Sequence, residues 1–253
     1  MTDFGSKYAR TVLRTPEEFR NFLAMRPAPS WGKKLSIHHT WSPTETQWRG
    51  LTSLDGVFRY YRDVRGWPPG VGPHFFGGPD YPSKRWVLFV ATDPVYKGIG
   101  VAGRNSDSWH LEHTWNGDKH PFSAEVLEFS AWVVRELSLW AGLPIQWCDP
   151  HVSSSTGLYF HRDRRDAGKS CPGTKVTHEA VMAAYKEDDM TPDEVRAIVR
   201  EEIEQVWDTA AGDAAEAHLM QRGILTKKHP GGKAASIRYM NITLSRVLKL
   251  LGK

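Results

Sequence analysis

Only two cysteines, Cys148 and Cys171, occur among the 253 residues. That argues against a disulfide framework and suits a reducing compartment, and it leaves a thiolate open to a metal role. No apolar run approaches the roughly 20 residues of a membrane span, so membrane insertion is not expected. The stretch Met1 to Thr11 is polar and lacks the apolar segment of a secretory signal, so action outside a cytoplasm is expected to need another agent for export. Strong charge of one sign is missing as well. The formal net charge is +4, spread along the chain. It is a mild bias toward an acidic polymer, and no nucleic-acid recognition motif accompanies it, so nucleic acid is not an expected partner. The glycine-rich run from Gly98 to Arg104 is not a phosphate loop, because no Gly-Lys-Ser/Thr follows it. No long internal repeat is present.

What is there suffices for a core: 40% apolar residues and eleven tryptophans. Residues 1–30 are expected to hold one helix, with Thr15 as its cap, Pro16 in its first turn and Glu18 closing a capping box. Leu35 to His39 reads as a short buried strand. Ser53 to Arg65 is an amphipathic helix, with Leu54, Val57, Phe58, Tyr61 and Val64 on one stripe. Gly72 to Phe76 is strand-like, and Gly77 to Asp80 reads as a turn. Arg85 to Thr92 has the composition of a central strand. Ser108 to Trp115 is a further strand whose alternation puts His110, Glu112 and Thr114 on one face and Trp109, Leu111 and His113 on the other. A carboxylate there is costly to bury without a partner, and its plain alternative is an exposed edge position. Pro121 to Gly142 is a helix. Ile145 to Trp147 is a possible short strand, Leu158 to Phe160 leads to His161, and Thr177 to Lys186 is helical. The fold expected is a mixed central sheet flanked by helices, with the site at one edge of the sheet.

The chemistry concentrates in His161 to Gly173, a loop with a histidine, a lysine and a cysteine closed by Pro-Gly. His161 and Cys171 are too far apart for neighbouring helical turns and suit a loop that folds back. Neutral imidazole and thiolate are good zinc ligands. His38, at the end of an apolar strand, is the best upstream third ligand, although a strand-end histidine is more often a hydrogen-bonded core residue. Two nitrogens and a sulfur leave a fourth position for water. Glu112 could then take a proton from that water and Lys169 could stabilise an oxyanion. His39 points to the opposite strand face. His74 and His110 read as structural or supporting residues, Asp163 as a loop cap or a ligand-orienting group, and Cys148 as an inert thiol. Trp41, Trp67 and Trp115 could line a glycan groove, with Trp67 equally well placed in the core.

The chain resembles the zinc-dependent N-acetylmuramoyl-L-alanine amidases of the phage-lysozyme and peptidoglycan-recognition-protein type. The resemblance rests on Ile37-His38-His39-Thr40, Arg65-Gly66-Trp67, Gly72-Pro73-His74-Phe75, a loose match over Ser106 to Glu112, and His161, Asp163, Lys169, Cys171, Pro172 and Gly173. It covers roughly residues 31–187, and the last loop is its most specific part. It implies zinc on His38, His161 and Cys171, with peptidoglycan as substrate and cleavage between the lactyl group of N-acetylmuramic acid and L-alanine. Lys169 would hold the oxyanion and Glu112 would be the general base. One departure stands out: many members carry a catalytic tyrosine where this chain has Pro73, which leaves His74 or His110 as possible assistants.

Residues 1–190 are expected to form the catalytic domain with an N-terminal helical extension. Residues 191–253 read as a helical unit for wall binding or self-association, and the oligomeric state is open. The whole suits a phage endolysin made in the host cytoplasm and released to the wall with help from a holin. The rivals are a recognition module without catalysis, which typically lacks the cysteine ligand, and a cytoplasmic wall-recycling amidase.

Overall fold

The computed structural model describes residues 7–186 apart from 82, 102, 104 and 165–167. The expected unit at 191–253 lies outside the described residues. Six strands form one mixed sheet: β1 (Tyr8–Leu13), β2 (Lys34–His39), β3 (Phe75–Pro79), β4 (Trp86–Thr92), β5 (Ser108–His113) and β6 (Gly157–Phe160). Their spatial order is β1-β4-β3-β5-β2-β6. β4 is antiparallel to both β1 and β3. β3, β5, β2 and β6 run parallel to one another. Among the described residues four α-helices accompany the sheet: α1 (Pro16–Ala24), α2 (Leu51–Asp63), α3 (Ala124–Ala141) and α4 (His178–Lys186). The mixed sheet flanked by helices is the architecture expected.

Side-chain alternation sorts the two faces. Leu35 and Ile37 of β2, Trp109 and Leu111 of β5, and Leu158 and Phe160 of β6 join one core with α1, α3 and α4. The opposite face of β3 and β4 packs Phe76, Val87 and Phe89 against Leu54 and Phe58 of α2. On that second face, β2 and β5 carry His38 and Glu112 instead of core residues.

The helix ends follow local chemistry. The Thr15 hydroxyl accepts the Glu18 N–H at 3.1 Å. The Glu18 carboxylate reaches back to the Arg14 N–H at 2.5 Å, one residue before the position a reciprocal capping box predicts. Ser123 caps α3, and Gly142 ends it in the left-handed region at φ 65°.

Four readings need correction, one of them the alternative weighed for Glu112. Residues 1–30 hold a strand as well as a helix, since β1 pairs with β4 at the sheet's edge. Gly77 and Gly78 are not a turn but the middle of β3. A Cβ at Gly77 would fall 2.2 Å from the Phe129 ring, so the missing side chain lets α3 lie on the sheet. Glu112 is no edge residue: β5 sits between β3 and β2, and Glu112 is 8% exposed. The expected strand at 145–147 reduces to a single bridge between Trp147 and Leu158.

Candidate metal centre

Three segments deliver the site. β2 ends with His38 and His39, and its parallel register sets His38 directly beside Glu112 of β5. β6 runs into a single 3-10 turn, His161–Asp163, which presents His161. The chain then loops back so that Cys171 meets the end of β2. The site therefore lies at the C-terminal ends of parallel strands and includes the interior strand β5; it does not run along an edge.

His38 Nδ1 lies 3.6 Å from Cys171 Sγ and 3.7 Å from Glu112 Oε1. The His38 and His161 rings are 4.8 Å apart at 64°. One donor atom each from His38, His161 and Cys171 fall within 4.8 Å of one another. Two ligands bound at about 2.0 and 2.3 Å with a tetrahedral angle between them stand about 3.5 Å apart, so the observed His38–Cys171 spacing fits a shared zinc-sized ion. Lys169 is exposed at the mouth of the same groove, whose volume is about 360 Å³.

The electrostatics agree. Burial, and then Glu112, push the Cys171 thiol well above its ordinary range. Burial raises Glu112 to about 8. Burial, followed by the neighbouring imidazoles, holds His38 far below the usual histidine value. His161 is lowered to about 4 by burial and then by Lys169. Each group is thus pressed toward its neutral form. A divalent cation among them favours thiolate, carboxylate and neutral imidazole together, the forms that bind metal and accept a proton.

The thiol-bearing loop is clamped by its neighbours. The His39 N–H points at Cys171 Sγ at 3.3 Å. Arg162 donates its main-chain N–H to the Cys171 carbonyl at 2.8 Å. Its guanidinium donates to the Gly173 and Val176 carbonyls. Asp118 accepts from the Ser170 hydroxyl and the Thr174 N–H, both at 2.9 Å. Gly117 touches the loop backbone to backbone: a Cβ there would meet the Pro172 oxygen at 1.9 Å. The Gly117 N–H also donates to His39 Nδ1 at 2.9 Å, so His39 supports the loop and is no member of the cluster.

Behind His38 runs a buried chain. His113 Nδ1–H donates to the His38 carbonyl at 2.8 Å. Its bare Nε2 then accepts the Ser130 hydroxyl at 3.0 Å. Ser130 Oγ in turn accepts from Tyr185 of α4 at 2.6 Å. Asp163 caps the 3-10 turn through the Phe160 N–H at 2.7 Å and pairs with His178 at 3.0 Å.

The groove holds one residue that sequence reasoning placed elsewhere. Tyr61 of α2 lines it beside Glu112, Cys171 and Pro73. Its ring stacks on Trp67 with centroids 4.3 Å apart. Burial and then Glu112 push its phenol well above the ordinary range. Trp41 is also on the groove wall, 60% exposed and held at φ 59°. Trp115 is not: it packs against Trp86 and donates its indole N–H to the His120 carbonyl. Cys148 stands apart, its thiol raised to about 11 chiefly by burial.

No family model matches the chain, and no curated protein does. Solved structures are similar in fold. N-acetylmuramoyl-L-alanine amidase LysC from Clostridium intestinale is 15% identical, over 71% of this chain and 92% of that one, with a TM-score of 0.45. Drosophila PGRP-LB is 14% identical, over 74% and 91%, at 0.44. The Ph2119 endolysin from a Thermus scotoductus bacteriophage is 14% identical, over 63% and 87%, at 0.43. The chemistry assigned to this site rests on the cluster's own geometry.

Proposed function

We propose that the protein is a zinc-dependent N-acetylmuramoyl-L-alanine amidase acting on peptidoglycan. The observation that carries this reading is the convergence of His38, His161 and Cys171 with Glu112 at 3.7 Å from His38 Nδ1. His38, His161 and Cys171 would hold the ion with Glu112 beside them, a donor set that would leave a fourth position for water, as hydrolytic zinc sites do. Zinc held there would lower the pKa of a bound water toward about 7 and polarise a carbonyl.

The protein's own groups do the rest. Glu112 accepts a proton from the attacking water. The water oxygen bonds to the amide carbon, and Lys169 offers its ammonium to the oxyanion that forms. The C–N bond then breaks. Glu112 returns its proton to the departing L-alanine nitrogen, leaving a lactyl carboxylate and a free amine. Tyr61 supplies an aromatic hydroxyl to the groove from α2, although Pro73 occupies the expected tyrosine position. The exposed face of Trp41 on the groove wall suits a sugar ring of a polymeric substrate. Polymer rather than soluble fragment, and release from a host cytoplasm through a holin, complete the proposal of an endolysin.

Purified walls treated with the full chain should gain free N-terminal L-alanine and no new reducing ends. Chelation should stop the release and zinc should restore it. New reducing ends, or full activity of Cys171→Ser, would overturn this reading. Faster release from soluble muropeptides than from intact sacculi would replace the lytic role with a recycling one.

A further inference from the structure

The glycine-rich run after β4, which is no phosphate loop, lies on two histidines. A Cβ at Gly98 would fall 2.5 Å from His74 Cε1, and a Cβ at Gly100 would fall 2.5 Å from His110 Cγ. Both positions need to lack a side chain for the strap to sit there. Its own hydrogen bonds fasten it: Ile99 N–H to the Gly72 carbonyl at 2.9 Å, and the Asn105 side-chain oxygen accepting from Gly100 and Val101 at 2.9 and 3.0 Å. The rings are stacked, His74 on His110 with centroids 5.7 Å apart at 22°. Trp31 stacks on His74 in turn. Both histidines are fully buried.

The hydrogen bonds assign the His74 tautomer. Its Nε2 meets the Tyr96 carbonyl at 3.0 Å, and a carbonyl only accepts. The proton is therefore on Nε2, and the bare Nδ1 accepts the main-chain N–H of His110 at 3.2 Å. The His110 ring, lying between Gly100 and the stacked His74 ring, has its Nδ1 3.4 Å from His38 Nε2. His110 Nε2 is buried with no hydrogen-bond partner among the described residues.

One proton lies between His38 and His110, and there are two ways to place it. If His110 donates, the His38 proton is on Nδ1, aimed at Cys171 and Glu112, and that nitrogen has no lone pair to offer. If His38 donates through Nε2–H, its Nδ1 lone pair faces Cys171 at 3.6 Å. Only the second arrangement serves a ligand, and a hydrogen-bond acceptor behind a ligating imidazole is how metal sites fix ring orientation.

We propose that His110 is the positioning residue of this centre: its Nδ1 accepts the Nε2–H of His38 and so presents the His38 Nδ1 lone pair to the cation. The proposal rests on the zinc reading above. The strap of Gly98 and Gly100 is the device that holds the acceptor still, and it gives those glycines a purpose. A neutral acceptor suits the position, since a carboxylate there would add a charge behind a site that already gathers a thiolate and Glu112.

Zinc affinity of the full-length chain tests it, by chelator competition at fixed pH. In His110→Asn the side-chain oxygen takes the place of Nδ1 and keeps an acceptor. In His110→Leu there is none. The Leu variant should bind zinc about 10–100-fold more weakly, the loss typical of an outer partner, and the Asn variant should stay within a few-fold of the parent. The two metal-free variants should melt together. Parental affinity in the Leu variant, or equal losses in both, overturns the proposal. If the parent itself binds no better than Cys171→Ser, the zinc reading has failed instead, and this inference goes with it. Should the Leu variant not fold, ring nitrogen shifts of the zinc-loaded parent decide: a proton on His110 Nε2 supports the proposal, and one on Nδ1 overturns it.

Discussion

His38 Nδ1 and Cys171 Sγ stand 3.6 Å apart across 133 residues of chain. Neither side chain could be held there by its own neighbours in sequence. The pairing exists because β2 is an interior strand and because the loop after β6 is clamped at both ends. Removing either side chain should therefore abolish the proposed zinc binding without dissolving the sheet. His38→Ala and Cys171→Ala should each lose stoichiometric zinc by elemental analysis and lose wall lysis, while far-ultraviolet circular dichroism stays that of the parent.

Glu112→Gln keeps the shape of the side chain and removes its base. It should retain zinc and lose about 10²–10⁴-fold in turnover, the usual worth of general acid–base catalysis. Lys169→Ala should likewise retain zinc and lose activity. Turbidity decay on purified walls, beside metal content, checks both. Full activity in either variant removes that residue from the mechanism.

The metal-free chain should have an unusual alkaline slope. Burial raises Glu112 to about 8 in the fold against an ordinary value of 4.5. Between those values the folded chain keeps a proton that the unfolded chain has released. The contribution is fully present below 4.5 and is lost as pH rises to about 8, with a ceiling of about 5 kcal/mol. Glu112→Gln should flatten that slope in urea titrations. His74 and His113, lowered to about 4, act at the other end. Their contribution is present above 6.5 and fades as pH falls toward 4.

Gly117→Ala places a methyl against the Pro172 carbonyl, with a contact of 1.9 Å to relieve. The loop must retreat and take Cys171 with it. Zinc binding should weaken, and the zinc-free domain should lose about 1–3 kcal/mol from overpacking. Unchanged zinc affinity would show that the clamp does not set the thiolate.

Tyr61→Phe should keep zinc and the fold. Loss of about tenfold in turnover, on the scale of one hydrogen bond in a shielded site, is expected. An unaltered rate would leave Tyr61 as groove lining only.

Much of this was legible in the chain. The alternation in Ser108 to Trp115 placed Glu112 and His110 on the face opposite Trp109 and Leu111, and the structure keeps that division. The loop from His161 to Cys171 advertised its chemistry by residue type. What escaped notice has physical causes. Tyr61 shares helical spacing with Leu54 and Phe58, so periodicity assigned it to a core stripe. Tyr61 does pack against that core, on the Phe58 ring, and it lines the groove as well. β1 is short, is interrupted at Arg10 with φ 48°, and finds its partner some eighty residues later. Gly77-Gly78 has the composition of a turn, and only tertiary neighbours explain why a strand needs it: the Phe129 ring over Gly77, and Thr114 and Trp48 over Gly78.

The parallel register of β2 between β5 and β6 has a genetic corollary. Successive side chains on a strand face opposite ways, so a slip of a single position would rotate His38 into the greasy interior and swing Ile37 or His39 toward solvent. A point substitution along Lys34–His39 alters one buried position, whereas a lost or gained codon there displaces every position beyond it. In descendants of this gene, length changes should accumulate in the connecting loops and spare that hexapeptide.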